Sequence, residues 1–127
     1  MADSQPPTVL VVDDDSVVLQ TLAAMLAHRG YEPLPAGGGD EAIGVCRARP
    51  GGVAAAVLDV RMPGMDGPAT LDALRALVPG LPCVFVSGHT GDYSETDLLA
   101  RGGTAVLGKP VGLVQLGAAV AAAINRG

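Results

Sequence analysis

The stretch Val11-Val12-Asp13-Asp14-Asp15-Ser16-Val17-Val18 (VVDDDSVV) sets three carboxylates in a row between two apolar runs. The residues leading into it, Thr8 to Val12, are β-branched and apolar without alternation, as in a strand buried on both faces. The residues after it change period, with Val18, Leu22, Met25 and Leu26 recurring at helical spacing. The acidic run therefore falls where a strand ends and a helix begins. Two unit charges ~4 Å apart repel by about 4 kcal/mol at an effective dielectric of 20. Carboxylates gathered at such a point call for a proton, a lysine or a divalent cation. Asp15 or Ser16 suits the helix cap, which leaves Asp13 and Asp14 for the cation.

Outward from this stretch the alternation of strand and helix repeats. Gly30, after His28-Arg29, ends the first helix, and His28 suits the helix C-terminus by its interaction with the dipole. Tyr31 to Ala36 is a weaker strand, interrupted by two prolines and so predicted at a sheet edge. Gly37 to Gly39 form a loop; the triplet lacks the frame of a phosphate-binding loop. Asp40 is predicted to cap a helix through about Arg49, stopped by Pro50-Gly51-Gly52. Val53 to Leu58 is a strand ending at Asp59, followed by the turn Met62 to Gly67 and a helix from Pro68 to about Val78. Leu81 to Val86 is a strand ending at Ser87. A weakly amphipathic helix is predicted over Asp92 to Arg101, a last strand over Thr104 to Leu107, and a last helix from Val111 to about Ile124. Strand–helix units in this succession imply an α/β domain with a parallel sheet and helices on both faces. Ligands of such sheets bind at the carboxyl ends of the strands.

Composition narrows the classes of function. A chain of 127 residues suits one domain, read as residues 8–127 behind a flexible tail of residues 1–7. The few aromatics are Tyr31, Phe85 and Tyr93, so the core must be aliphatic. The net charge of -5 offers nothing to nucleic acid, whose binding needs clustered Lys and Arg. Cys46 and Cys83 lie apart in apolar segments, with no metal-type spacing, and read as buried free thiols of a reducing cytosol. No apolar run reaches the ~18 residues needed to span a bilayer, and MADSQPP has no secretory character. A cytoplasmic location is therefore expected.

The strand ends carry the chemistry. The first ends in Asp13-Asp14, the third in Asp59, the fourth in Ser87, and the fifth just before Lys109-Pro110. A few carboxylates with open positions match Mg²⁺, which is held by one or two carboxylates plus a phosphate. Asp59 can act as a nucleophile giving an acyl phosphate. Lys109 supplies a point charge for a phosphoryl oxygen, and Ser87 a hydroxyl donor for another. Such transfer needs mainly positioning and charge neutralisation.

With these residues in view, the chain resembles a receiver domain of two-component response regulators. The matching pieces are VLVVDDD at 9–15, VLDVRMPGMDG at 57–67, VFVSGH at 84–89 and LGKP at 107–110. The resemblance covers nearly the whole chain. It implies a flavodoxin-like three-layer (βα)5 sandwich, doubly wound, with a five-stranded parallel sheet of order 2-1-3-4-5. It implies Asp59 as the phosphoacceptor, charged by a histidine kinase or phosphotransfer domain. Asp13, Asp14 and Asp59, with the backbone carbonyl of Arg61, would hold Mg²⁺ (or Mn²⁺), Asp14 being the favoured direct ligand of the acidic pair. Ser87 would be the switch residue, Lys109 the conserved-type lysine, and the Lys109-Pro110 bond cis. One departure stands out: where the family often carries Tyr or Phe, three residues before the lysine, this chain has Val106. Signalling would then rest on Ser87 and its loop, or on altered mobility of the segment from Gly88 to Gly103, with His89 and Arg61 tuning water attack on the acyl phosphate.

Other functions fit less well. A phosphatase of the haloacid dehalogenase type needs an acid two residues after the nucleophile, where Arg61 stands, and a cap domain for which the chain has no room. A docking module that is never phosphorylated would not need the full acceptor set. The Met1 start leans to a stand-alone receiver acting on an unknown output protein, and a receiver from a hybrid histidine kinase would look the same. Small residues along the last helix (Gly112, Gly117, Ala118, Ala121) would permit close approach of a second copy or a partner.

Overall fold

The computed structural model describes residues 6–88 and 93–126. Five strands and five helices alternate along the chain. They are β1 (Thr8–Val12), α1 (Ser16–His28), β2 (Glu32–Ala36), α2 (Gly39–Arg47), β3 (Ala55–Asp59), α3 (Gly67–Leu77), β4 (Cys83–Ser87), α4 (Glu95–Ala100), β5 (Ala105–Gly108) and α5 (Leu113–Arg126). All strand pairings are parallel, and the sheet order is β2-β1-β3-β4-β5. The order and the two-sided helical cover agree with the expectation.

The central strands β1, β3 and β4 are buried at every position. Side chains alternate along a strand, so each strand feeds two cores. Val9, Val11, Val57, Val84 and Val86 meet α1 and α5 through Leu22, Leu26, Leu116 and Val120. Leu10, Val12, Leu58 and Phe85 face the other way, toward Ala42, Cys46, Leu71, Leu74 and Leu98. This is why the strand sequences read as unbroken apolar runs. Cys46 and Cys83 are free and buried, and burial raises both thiols above their ordinary pKa, so neither is poised to react.

The proline-bearing strand β2 lies at the edge, as expected. The Glu32 N–H donates to the Pro7 carbonyl on the β1 side at 2.9 Å. By the two-residue alternation, Pro33 and Pro35 carry their missing N–H groups on the outer edge, where no ladder is broken. The first helix is capped by Asp15, whose carboxylate accepts from the Val17 and Val18 N–H groups at 2.9 and 3.2 Å. Gly30 ends it at φ 91°, a left-handed turn in which the Tyr31 N–H reaches back to the Leu26 carbonyl at 3.0 Å.

The last helix starts at Leu113 rather than Val111, and the third at Gly67 rather than Pro68; two helix caps also differ from the sequence expectation. Asp40 does not cap α2: the cap is Gly38, and Asp40 sits inside the first turn. Gly39, the first residue of the helix, is buried where a Cβ would run into the side chains of Thr70 and Met65. Glu41 turns back instead, its carboxylate accepting from the Gly37 N–H at 2.8 Å. In α4 the cap is Ser94, in a reciprocal capping box with Asp97, so the helix is shorter than the predicted 92–101 span. Asp92 lies outside the described residues, as does His89.

Candidate functional site

The sheet order places β1 between β2 and β3, so the carboxyl ends of β1 and β3 are neighbours. Val12 pairs with Leu58, and the next residues, Asp13 and Asp59, leave the two strands side by side. Asp13, Asp14 and Asp59 each contribute a carboxylate oxygen to a cluster in which the three lie within 4.8 Å of one another. Asp13 and Asp59 are buried, at 1% and 6% exposure, while Asp14 is exposed. Two sunken charges and one solvent-facing charge thus share one corner of the molecule.

Lys109 answers the charge. It follows β5, two strands away, and its Nζ lies 2.9 Å from Asp13 Oδ2 and 3.2 Å from Asp59 Oδ1. The Lys109-Pro110 peptide bond is cis, as expected. The other oxygen of Asp13, Oδ1, accepts the Asp15 N–H at 2.9 Å. Both oxygens of Asp13 are therefore engaged, whereas Asp14 faces solvent. Ser87 ends β4 and is buried at 7% exposure.

A single lysine does not balance this corner. Burial first, then the Asp13 carboxylate, push the Asp59 acid up to about 6, against the downward pull of the Lys109 ammonium. Burial on its own would lower Lys109. The hydrogen bond to Asp13 and the charges of Asp59 and Asp13 outweigh it and hold the ammonium above its ordinary pKa. A small dication would meet the remaining negative charge, and the donor set is all oxygen, which suits Mg²⁺ or Mn²⁺.

The loop between β3 and α3 forms the rim. Asp66 caps α3, its Oδ1 accepting the Ala69 N–H at 2.9 Å, and Pro68 occupies the first turn. Gly67 is needed for a reason other than its dihedrals. A Cβ at this position would enter the carbonyl oxygen of Asp59, so α3 can start close behind the acidic corner only with glycine here. Sequence reasoning took the segment as a turn and missed this approach. Arg61 is exposed on the loop. With Val60, Met62, Pro63, Gly64, Asp66 and Tyr93 it lines a crevice of about 440 Å³.

Tyr93 is a second residue that sequence reasoning missed. Its hydroxyl donates to Asp66 Oδ2 at 2.9 Å, joining the approach to α4 with the cap of α3. Val106 pairs with Phe85 across β4 and β5 and packs against the core that holds Phe85 and Leu98. Among the described residues no helix is long and apolar enough to cross a membrane.

Comparison with known proteins agrees with the geometry. A family model described as the response regulator receiver domain matches residues 9–121. The transcriptional regulatory protein PrrA of Mycobacterium tuberculosis is 37% identical over 121 residues, covering 94% of this chain and 51% of that protein. The sensor kinase CckA of Brucella abortus is 38% identical over 113 residues, covering 89% of this chain and 12% of CckA. The chain thus spans about half of one relative and a small part of the other. The crystal structure of a response regulator receiver domain protein from Clostridium thermocellum superimposes with a TM-score of 0.87 at 27% identity, covering 94% of this chain and 95% of that one. A parallel sheet of order 2-1-3-4-5, an acidic corner at the tips of β1 and β3 and a family match across most of the chain lead to one conclusion: this chain belongs to the response regulator receiver domain family.

Proposed function

We propose that residues 8–127 accept a phosphoryl group on Asp59 and use it to switch protein contacts. The observation that carries this is the Lys109 ammonium seated on Asp59 inside the acidic cluster, at the end of a central strand. Receiver domains work as signalling switches in two-component systems, and the donor expected here is a histidine kinase or phosphotransfer domain. In the transfer, an Asp59 carboxylate oxygen attacks phosphorus, the P–N bond to the donor imidazole breaks, and the imidazole nitrogen keeps the electron pair. Hydrolysis later cleaves the acyl phosphate to inorganic phosphate and the free carboxylate.

The chain's own groups divide the work. Burial of Asp59 keeps water from its carboxylate, and its neighbours hold it at one strand tip. Lys109 is placed to follow charge from the carboxylate onto a phosphoryl oxygen. Asp13 is fixed by Lys109 and the Asp15 N–H, so it positions as well as attracts. Ser87 ends the neighbouring strand with a hydroxyl able to donate to a second phosphoryl oxygen. Asp14, Asp59, Asp13 and the Arg61 carbonyl are the proposed holders of Mg²⁺ (or Mn²⁺), which would neutralise phosphoryl charge when bound. An apolar groove of about 400 Å³ lies between Val17, Val18, Thr21, Leu22 and Met25 of α1 and the Lys109–Val111 segment. It gives a donor domain a dry contact beside the acceptor.

Mass spectrometry after incubation with acetyl phosphate and Mg²⁺ tests the proposal. One added phosphoryl group in the wild type and none in Asp59→Asn is expected. No addition to the wild type at any metal concentration would refute it. The CckA match supports a second context, a receiver carried within a hybrid kinase. Phosphotransfer profiling against kinase and phosphotransfer domains separates the two by which donor transfers fastest.

A further inference from the structure

The outer face of α1 is uncharged along most of its length. From Ser16 to Ala27 the helix has no Asp, Glu, Lys or Arg, although the solvent face of a surface helix is ordinarily its charged face. Val17 is 70% exposed, and Gln20, Thr21, Ala24 and Ala27 are exposed with it. Val17, Thr21, Ala24, Met25 and His28 line a groove of about 560 Å³ together with Leu113 of α5. Val17, Thr21 and Met25 also line the groove beside Lys109–Val111, so the two grooves form one continuous apolar strip.

Charge gathers at the two ends of this strip, and the ends differ in sign. Asp14 and Asp15 stand exposed at its start, and His28 and Arg29 stand exposed at its finish. Arg29 lies against α5, where a Cβ on Gly117 would run into its guanidinium, and among the described residues it makes no ion pair. From Asp15 to Arg29 the helix spans about 21 Å at its usual rise, with Thr21 and Leu22 at the middle. Turning a second copy about a two-fold axis at that middle lays the two helices antiparallel. Each acidic end then meets a basic end, and the apolar strip meets itself.

We infer that the outer face of α1 is a self-docking surface: two copies of this chain pack their α1 helices antiparallel about a two-fold axis near Thr21, covering Val17 and setting Asp15 of each copy beside Arg29 of the other. Burial of the strip drives the association, and the end charges fix its direction. A parallel arrangement would oppose like charges at both ends. One helix face makes a small interface, so the pairing is weak and governed by concentration. The strip includes the groove offered above to a donor domain, and a second copy and a donor exclude one another there. Self-association is measured without any donor, so it stands or falls apart from the acceptor role of Asp59.

Sedimentation equilibrium of the full chain in EDTA tests this, at loading concentrations from about 10 µM to 1 mM, a range suited to a small interface. The wild type should pass from monomer to dimer within that range and stop there, because a two-fold contact closes on itself. Val17→Lys sets a charge into the exposed strip and should weaken dimerisation by about tenfold or more. Arg29→Glu and Asp15→Arg each oppose like charges at both ends of the pair and should weaken it by a similar factor. Mixed in equal amounts, these two variants restore both end pairs with the signs exchanged and should recover the dimer. Asp15→Arg also loses the cap of α1, which mixing cannot repair, so recovery reads the interface alone. A wild type that stays monomeric at the highest concentration would overturn the inference. Single variants that dimerise as the wild type does, or a mixture that stays monomeric, would overturn it as well.

Discussion

Asp59→Asn should stabilise the metal-free protein, and by an amount that depends on pH. The folded state raises the Asp59 acid from 3.8 to about 6. A carboxyl group whose pKa is raised on folding favours the folded state fully below its unfolded pKa. That advantage is lost as pH rises from about 4 through about 6. One pKa unit is worth about 1.4 kcal/mol, so ionised Asp59 costs on the order of 3 kcal/mol at pH 7 in the absence of metal. Asparagine keeps the shape and removes the charge, and its carbonyl oxygen can still accept from Lys109. The expected gain is therefore about 2–3 kcal/mol at pH 7 and close to zero at pH 4. Urea unfolding in EDTA at pH 4, 5.5 and 7 measures it, and the difference between variant and wild type isolates this one group from the other carboxylates. Added Mg²⁺ should stabilise the wild type by RT ln(1 + [L]/Kd) and the variant less, so the two curves approach each other. No gain at pH 7, or the same gain at pH 4, would show that repulsion and burial at Asp59 are not what the geometry implies.

Three further outcomes are expected. Lys109→Met leaves Asp13 and Asp59 buried without a cation and should cost about 2–4 kcal/mol at neutral pH, read by urea unfolding, together with loss of phosphorylation by acetyl phosphate. Gly67→Ala forces a methyl group into the Asp59 carbonyl and should cost about 1–3 kcal/mol while slowing acceptance at Asp59, read by unfolding and by the rate of mass gain. Arg75→Met strips the Leu81 and Gly102 carbonyls of a charged donor, and should speed amide hydrogen exchange in α4 and the following turn more than in β1 or β3.

Much of the architecture was legible before any coordinates, because the signals were local. Thr8 to Val12, Val53 to Leu58 and Leu81 to Val86 read as largely apolar runs of strand length, as a parallel sheet covered on both faces requires, although the structure starts the last two strands at Ala55 and Cys83. The edge position of β2 was readable from Pro33 and Pro35, since a missing N–H is tolerated only on the open side. The meeting of Asp13, Asp14, Asp59 and Lys109 was foreseeable too. Each lies at the end of a strand, and parallel strands point their carboxyl ends one way.

What the amino-acid sequence determined by itself was this strand-tip chemistry: charge of one sign on β1 and β3, and an ammonium after β5. Only tertiary structure decided how the helices seat against it. Gly38 rather than Asp40 caps α2, and Gly39 sits where a Cβ would run into the side chains of Met65 and Thr70. Gly67 is required by the carbonyl of a residue eight positions earlier. Tyr93 joins Asp66, and Arg75 joins Gly102, across separations of 27 residues each. Periodicity reports which face of an element is apolar, because that face recurs every two or 3.6 residues. It carries no record of which loop side chains meet when two elements dock, since that depends on distances set by the whole packed core.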